Sequence, residues 1–131
     1  MQGARALERV LAESGVRHVF GLPGDTGMAF YDALNDARGE IVHVMTRDER
    51  SASFMADVYA RVSRRLGVCE GPSGGGALYI VPGVAEAQGS AVPLLCLTSD
   101  TPVDQHGRGV LTELDQEGLF RPVTKWNARV N

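Results

Sequence analysis

The chain has 131 residues, with 13 Lys and Arg against 16 Asp and Glu for a formal net charge of −3. That length is one domain's worth, and charges of both signs are interspersed along it, so no basic face points to nucleic acid. Its apolar runs, such as Ala91 to Leu97, fall far short of the roughly 20 residues a membrane helix needs, and the N-terminus lacks the order of a signal peptide, so the expected setting is the cytoplasm and not a membrane.

In chain order, Leu7, Val10, Leu11 and Ser14 share one helical face, and Gly15 ends that helix. Val16 to Phe20 reads as a first strand, followed by the sharp turn Gly21-Leu22-Pro23-Gly24-Asp25. A second helix is expected to carry Met28, Tyr31 and Leu34 inward and to close at Gly39, before a second strand from Ile41 to Met45. That strand runs straight into Thr46-Arg47-Asp48-Glu49, which opens a third helix with Ala52, Met55, Tyr59 and Val62 at spacings of three and four, expected to form its inner face. Leu66 to Cys69 supplies a third strand, and the loop Gly71-Pro72-Ser73-Gly74-Gly75-Gly76 follows. Ala77 to Gln88 reads as a helix that Pro82-Gly83 should bend or shorten. Pro93 to Thr98 is a buried strand, Ser99 to Thr112 a polar stretch, Leu114 to Phe120 a short helix, and Val123 to Trp126 a last strand.

Strands alternating with helices predict an α/β fold, doubly wound, with a mainly parallel sheet and helices on both faces. In such a fold the loops after the strands share one edge, where ligands bind. Asp25, Glu49, the Gly74 to Ala77 loop and the stretch from Ser99 to Gln116 are thereby predicted neighbours. Each has a structural alternative. Thr46 and Glu49 have the spacing of a capping box, in which hydroxyl and carboxylate each satisfy an orphan backbone N–H. The glycine loop matches neither a Gly-Lys-Ser/Thr phosphate loop nor a dinucleotide turn, and reads equally as a tight strand-to-helix connection. Gln116 reads also as surface helix polarity, and His106 as a solvated loop histidine. Cys69 and Cys96 have no second ligand at metal spacing and read as reduced core residues; no metal ligand is assigned in this chain.

Five motifs occur in one order: Val19-Phe20-Gly21-Leu22-Pro23-Gly24; Arg47-Asp48-Glu49 with Met55-Ala56-Asp57 and Tyr59-Ala60-Arg61; Ser73-Gly74-Gly75-Gly76-Ala77; Asp115-Gln116; and Pro122-Val123-Thr124-Lys125-Trp126. In this order they resemble the N-terminal pyrimidine-binding domain of thiamine diphosphate enzymes of the acetolactate synthase, benzaldehyde lyase and 2-oxo acid decarboxylase superfamily, across residues 1–131. The resemblance implies a flavodoxin-like domain lacking its usual last helix and strand. It implies that Glu49 hydrogen-bonds the pyrimidine N1′ of thiamine diphosphate and activates the cofactor, with Thr46 alone left as the helix cap. Pro23, Gly24, Gly74, Gly75, Gly76 and Ala77 would line the pyrimidine. Gly75 stands where the family usually has proline and Tyr79 where asparagine is common.

Two residues point to different chemistries. Asp25 matches a catalytic aspartate of the decarboxylases, but the paired histidines of those enzymes are missing from Val110-Leu111-Thr112-Glu113. Gln116 matches a glutamine facing the substrate side in synthases and lyases. The resemblance therefore implies an acetolactate synthase-like carboligase module, with a decarboxylase module, a split subunit or a non-catalytic interaction remnant as alternatives. The family's Gly-Asp-Gly motif, which holds magnesium and diphosphate, is absent from this sequence. Activity is expected to need a diphosphate-binding domain, on the same parent chain or another subunit of a homo-oligomer, and that domain would hold Mg2+.

Overall fold

The computed structural model describes residues 2–37 and 39–130. Four strands, β1 (His18–Gly21), β2 (Val42–Met45), β3 (Gly67–Gly71) and β4 (Leu94–Thr98), form a wholly parallel sheet in the order β2-β1-β3-β4. The doubly wound reading holds. Helices α1 (Gly3–Glu13) and α2 (Met28–Asp36) cover one face, and α3 (Glu49–Ser63) and α4 (Gly75–Gly89) the other. The period of two along each strand feeds two separate cores. Val19 and Val68 meet Leu11, Phe30 and Leu34 beneath α1 and α2, whereas Phe20 and Cys69 meet Ala52, Ala56, Ile80 and Val84 beneath α3 and α4. Cys69 and Cys96 are register partners on β3 and β4, and both are free thiols. Among the described residues no helix is long and apolar enough to cross a membrane.

Several sequence expectations need correction. Of the expected inner face of α3, Ala52 is buried and Tyr59 packs against the core, but Met55 and Val62 are 39% and 80% exposed, and the buried positions are Ala52, Ser53, Ala56, Asp57 and Ala60 with Glu49. Small residues win that face because α4 and β3 lie close against it: a Cβ on Gly83 of α4 would overlap Ser53, and one on Gly67 of β3 would overlap the Ala56 carbonyl. Met28 and Val10 are likewise exposed on their helices.

Pro82 does not shorten α4, which runs from Gly75 to Gly89 with the proline inside it. Pro82 lies on the exposed side, where the carbonyl it leaves unbonded, that of half-exposed Leu78, can be hydrated. The final strand is absent: Val123 ends a 3-10 turn, Arg121–Val123, and 124–130 are irregular. Pro122, without an N–H, favours that turn over a strand. The short helix before it, α5, spans Gln116–Phe120 and plugs the α3/α4 core with Phe120.

Thr46 is not the cap of α3. Asp48 is, accepting from the Arg50 backbone N–H at 2.8 Å and pairing with its guanidinium. Thr46 Oγ1 instead donates to the Asp48 carbonyl at 3.0 Å. The cap thus falls two residues later than expected, and Glu49 becomes the first residue of α3.

Candidate functional site

The carboxyl ends of the four strands release four loops, and short polar contacts tie those after β1, β3 and β4 together. Thr26, in the 3-10 turn Asp25–Gly27 after β1, meets Ser99 after β4 with hydroxyl oxygens 2.8 Å apart, and its Oγ1 accepts from the Ser73 backbone N–H after β3 at 3.1 Å. The Ser73 hydroxyl donates to Thr112 Oγ1 at 2.7 Å. Gln116 is only 6% exposed, so the surface reading fails, and its Nε2 donates to the Ser99 carbonyl at 2.8 Å.

Two glycines make this closure possible. Gly74 has φ +65°, and a Cβ there would also sit 2.8 Å from Thr112. Thr112 itself has φ +66°, a conformation that costs a β-branched residue of the order of 1–3 kcal/mol and persists only where neighbours enforce it. A Cβ on Gly76 would lie 2.6 Å from Pro72 and 3.1 Å from Glu49 Oε1. Gly75 differs, because a Cβ there would meet nothing, so this part of the loop faces open space.

Glu49 is the focus of this arrangement. The residue is 9% exposed, with Oε1 towards Gly76 and Cγ 3.6 Å from where a Gly71 Cβ would stand. Because Asp48 performs the capping, the Glu49 carboxylate is not engaged in starting the helix.

The remaining expected residues divide. Glu49, Gly74, Gly76 and buried Ala77 cluster at the start of α4, and Gln116 joins through Ser99. Pro23, Gly24 and Asp25 line a separate open groove of about 550 Å³ with Met28, Ala29, Tyr31 and Asp32. Gly24 packs against Pro72, its hypothetical Cβ 2.5 Å from the ring, which docks this groove beside the glycine loop. His106 is not merely solvated: its Nε2 lies 2.9 Å from the Thr101 carbonyl and its Nδ1 3.1 Å from Arg129.

Sequence reasoning passed over Glu70. It lies inside the third strand, 2% exposed, and accepts a hydrogen bond from the Tyr31 hydroxyl. Burial pushes its carboxyl up to about 7; the Tyr31 hydroxyl draws it down, and the charge of Glu49 adds to the rise. An ionisable residue within a buried parallel strand was the available signal.

The family model described as "Thiamine pyrophosphate enzyme, N-terminal TPP binding domain" matches residues 1–119. A probable acetolactate synthase large subunit of Methanocaldococcus jannaschii is 41% identical over 130 residues, covering 99% of this chain and 22% of that protein. The acetolactate synthase of Arthrospira platensis is 39% identical over 125 residues, covering 94% of this chain and 22% of its own length. The acetolactate synthase isozyme 1 large subunit of Escherichia coli is 34% identical over 125 residues, with coverage of 95% and 22%. The chain thus spans about a fifth of the length of these curated relatives. With its parallel sheet, its interlocked strand-end loops and this match, the chain belongs to the thiamine pyrophosphate enzyme family as an N-terminal TPP-binding domain.

Proposed function

We propose that this chain holds the pyrimidine end of thiamine diphosphate in an acetolactate synthase-like carboligase, with Glu49 as the residue that activates the cofactor. The observation carrying this reading is Glu49 itself, a residue only 9% exposed, free of capping duty and with its Oε1 towards the glycine loop. The donor set suits an aminopyrimidine: one buried carboxylate for a ring nitrogen, and a run of glycines whose backbone N–H and C=O groups can approach a flat ring closely. Gly75, with open space beyond its Cα, is the accessible part of that run.

Thiamine diphosphate, when bound, supplies a thiazolium carbon that can lose its proton and attack a carbonyl. Glu49 would hold a proton at N1′ of the pyrimidine, a general acid–base role worth on the order of 10²–10⁴-fold in rate. Asp48 and Arg50 anchor the start of α3 and so fix the Glu49 backbone. Gln116, held by the Ser99 carbonyl, would offer its remaining polar capacity to a substrate oxygen without titrating. Magnesium and the diphosphate would be held by a diphosphate-binding domain, elsewhere on the parent chain or on another subunit of an oligomer.

Asp25 favours a second reading, decarboxylation of a 2-oxo acid, because its exposed side chain lines the open groove beside the glycine loop, where it could handle protons on the substrate side. The two readings separate by mutation in the presence of a diphosphate-binding domain. Glu49→Gln should slow deuterium exchange at the cofactor C2 with the circular dichroism spectrum unchanged, and an unchanged rate would overturn the role of Glu49. Asp25→Asn should slow decarboxylation more than C2 exchange under the second reading; under the first it leaves carboligation largely intact.

A further inference from the structure

The role given to Glu49 leaves a second buried carboxyl at the same sheet edge without a task. Glu70 lies on β3, which is flanked by β1 and β4. Residues alternate across a strand, so Gly71 faces α3 and Glu49, and Glu70 faces α2 and the turn Asp25–Gly27. The Tyr31 hydroxyl donates to Glu70 Oε2, and Oε1 is buried with no hydrogen-bond partner. Two glycines make room for this carboxyl: a Cβ on Gly21 would lie 2.9 Å from Oε2, and one on Gly27 2.9 Å from Oε1. Glu70 therefore packs directly under the turn that carries Asp25 and Thr26, while its chain neighbour Gly71 abuts Glu49.

We propose that Glu70 is a positioning residue of the cofactor site: as a neutral acid it braces the Gly21–Gly27 turn and adds no second buried charge behind Glu49. Two carboxylates so placed repel, and a buried one without a cation keeps its proton to a higher pH than an exposed one. The rise of Glu70 to about 7, driven by burial ahead of the opposing Tyr31 hydroxyl and the repelling Glu49 charge, agrees with that geometry. The titratable group facing Glu70 is Tyr31 from α2, and the charge of Glu49 on α3 acts on it from the other face of the sheet; Gly21, Gly27 and Leu97 beside it do not titrate. His43 on β2 is reached only through the Tyr31 ring, 4.8 Å away between centroids, and burial holds its imidazole towards the neutral form.

The link to catalysis rests on the proposed role of Glu49, but the coupling of the two carboxyls can be read without it. In the purified protein labelled with ¹³C at the glutamate side-chain carboxyl, one resonance should titrate near pH 7 and vanish in Glu70→Gln. Its midpoint should move down in Glu49→Gln, which removes the repelling charge, and up in Tyr31→Phe, which removes the donor. No resonance titrating near pH 7 in the wild-type protein, or a midpoint unmoved by Glu49→Gln, would overturn the proposal. With cofactor and diphosphate-binding domain present, the pH profile of C2 exchange should show a break near pH 7 that Glu70→Gln abolishes; a purely structural role would lower the whole profile and keep the break, which also overturns it. If the carboxyls are coupled yet Glu49→Gln exchanges at the wild-type rate, the fault lies in the proposed function and not in the coupling.

Discussion

Replacing Glu70 by Gln should make the protein more stable at alkaline pH and change little at acid pH. The Glu70 carboxyl rises from an ordinary 4.5 to about 7 on folding. Between those values the folded state holds a proton that the unfolded state has released, so stability falls as pH rises through this window. The loss is absent below about pH 4.5 and complete above about pH 7. Two and a half powers of ten in proton affinity correspond to about 3 kcal/mol, a sizeable part of a domain's total stability. Glutamine keeps a carbonyl oxygen for the Tyr31 hydroxyl and carries no charge at any pH. Urea unfolding of both proteins from pH 5 to pH 8.5 should give curves that nearly coincide at pH 5 and separate to about 2–3 kcal/mol by pH 8, with the variant the more stable. Parallel curves across that range would refute the reasoning, because they would mean that Glu70 ionises with equal ease in the folded and unfolded states.

Gly76→Ala should lower the melting temperature and weaken thiamine diphosphate binding, since the added methyl would meet both Pro72 and Glu49 Oε1; calorimetry reads both effects. Gly74→Ala should cost at least about 1 kcal/mol by denaturant titration, because φ +65° and the nearness of Thr112 both oppose a side chain. Val62→Ser should fall within about 0.5 kcal/mol of wild type, whereas Ala56→Leu, on the face packed against α4, should destabilise by about 1–3 kcal/mol or more, as read by chemical unfolding.

The alternation of strands and helices was legible because each strand is a short apolar run closed by a turn, as in His18 to Gly21 before Pro23-Gly24. Topology followed from connectivity, and with it the meeting of the Asp25, Glu49, Gly74 and Ser99 loops. The inner face of α3 was misread because hydrophobicity favours Met55 and Val62, while close packing with α4 selects Ala52, Ser53 and Ala56. The cap was misplaced because Thr46 and Asp48 are both good capping residues, and only backbone geometry decides between them. Val123 to Trp126 has strand-like composition but no partner strand, and propensity alone does not make a strand. Glu70 escaped notice because its partners, Tyr31 and the spaces at Gly21 and Gly27, lie far from it in sequence and meet it only in the folded sheet.

Glu49 as the activating carboxylate is the claim on which the functional account stands, and C2–deuterium exchange of bound thiamine diphosphate tests it most directly. With magnesium and a diphosphate-binding domain present, wild-type protein should exchange about 10²–10⁴ times faster than Glu49→Gln, while Glu70→Gln should remain near wild type below pH 7. Equal rates for wild type and Glu49→Gln, with both folded and both loaded with cofactor, would contradict it.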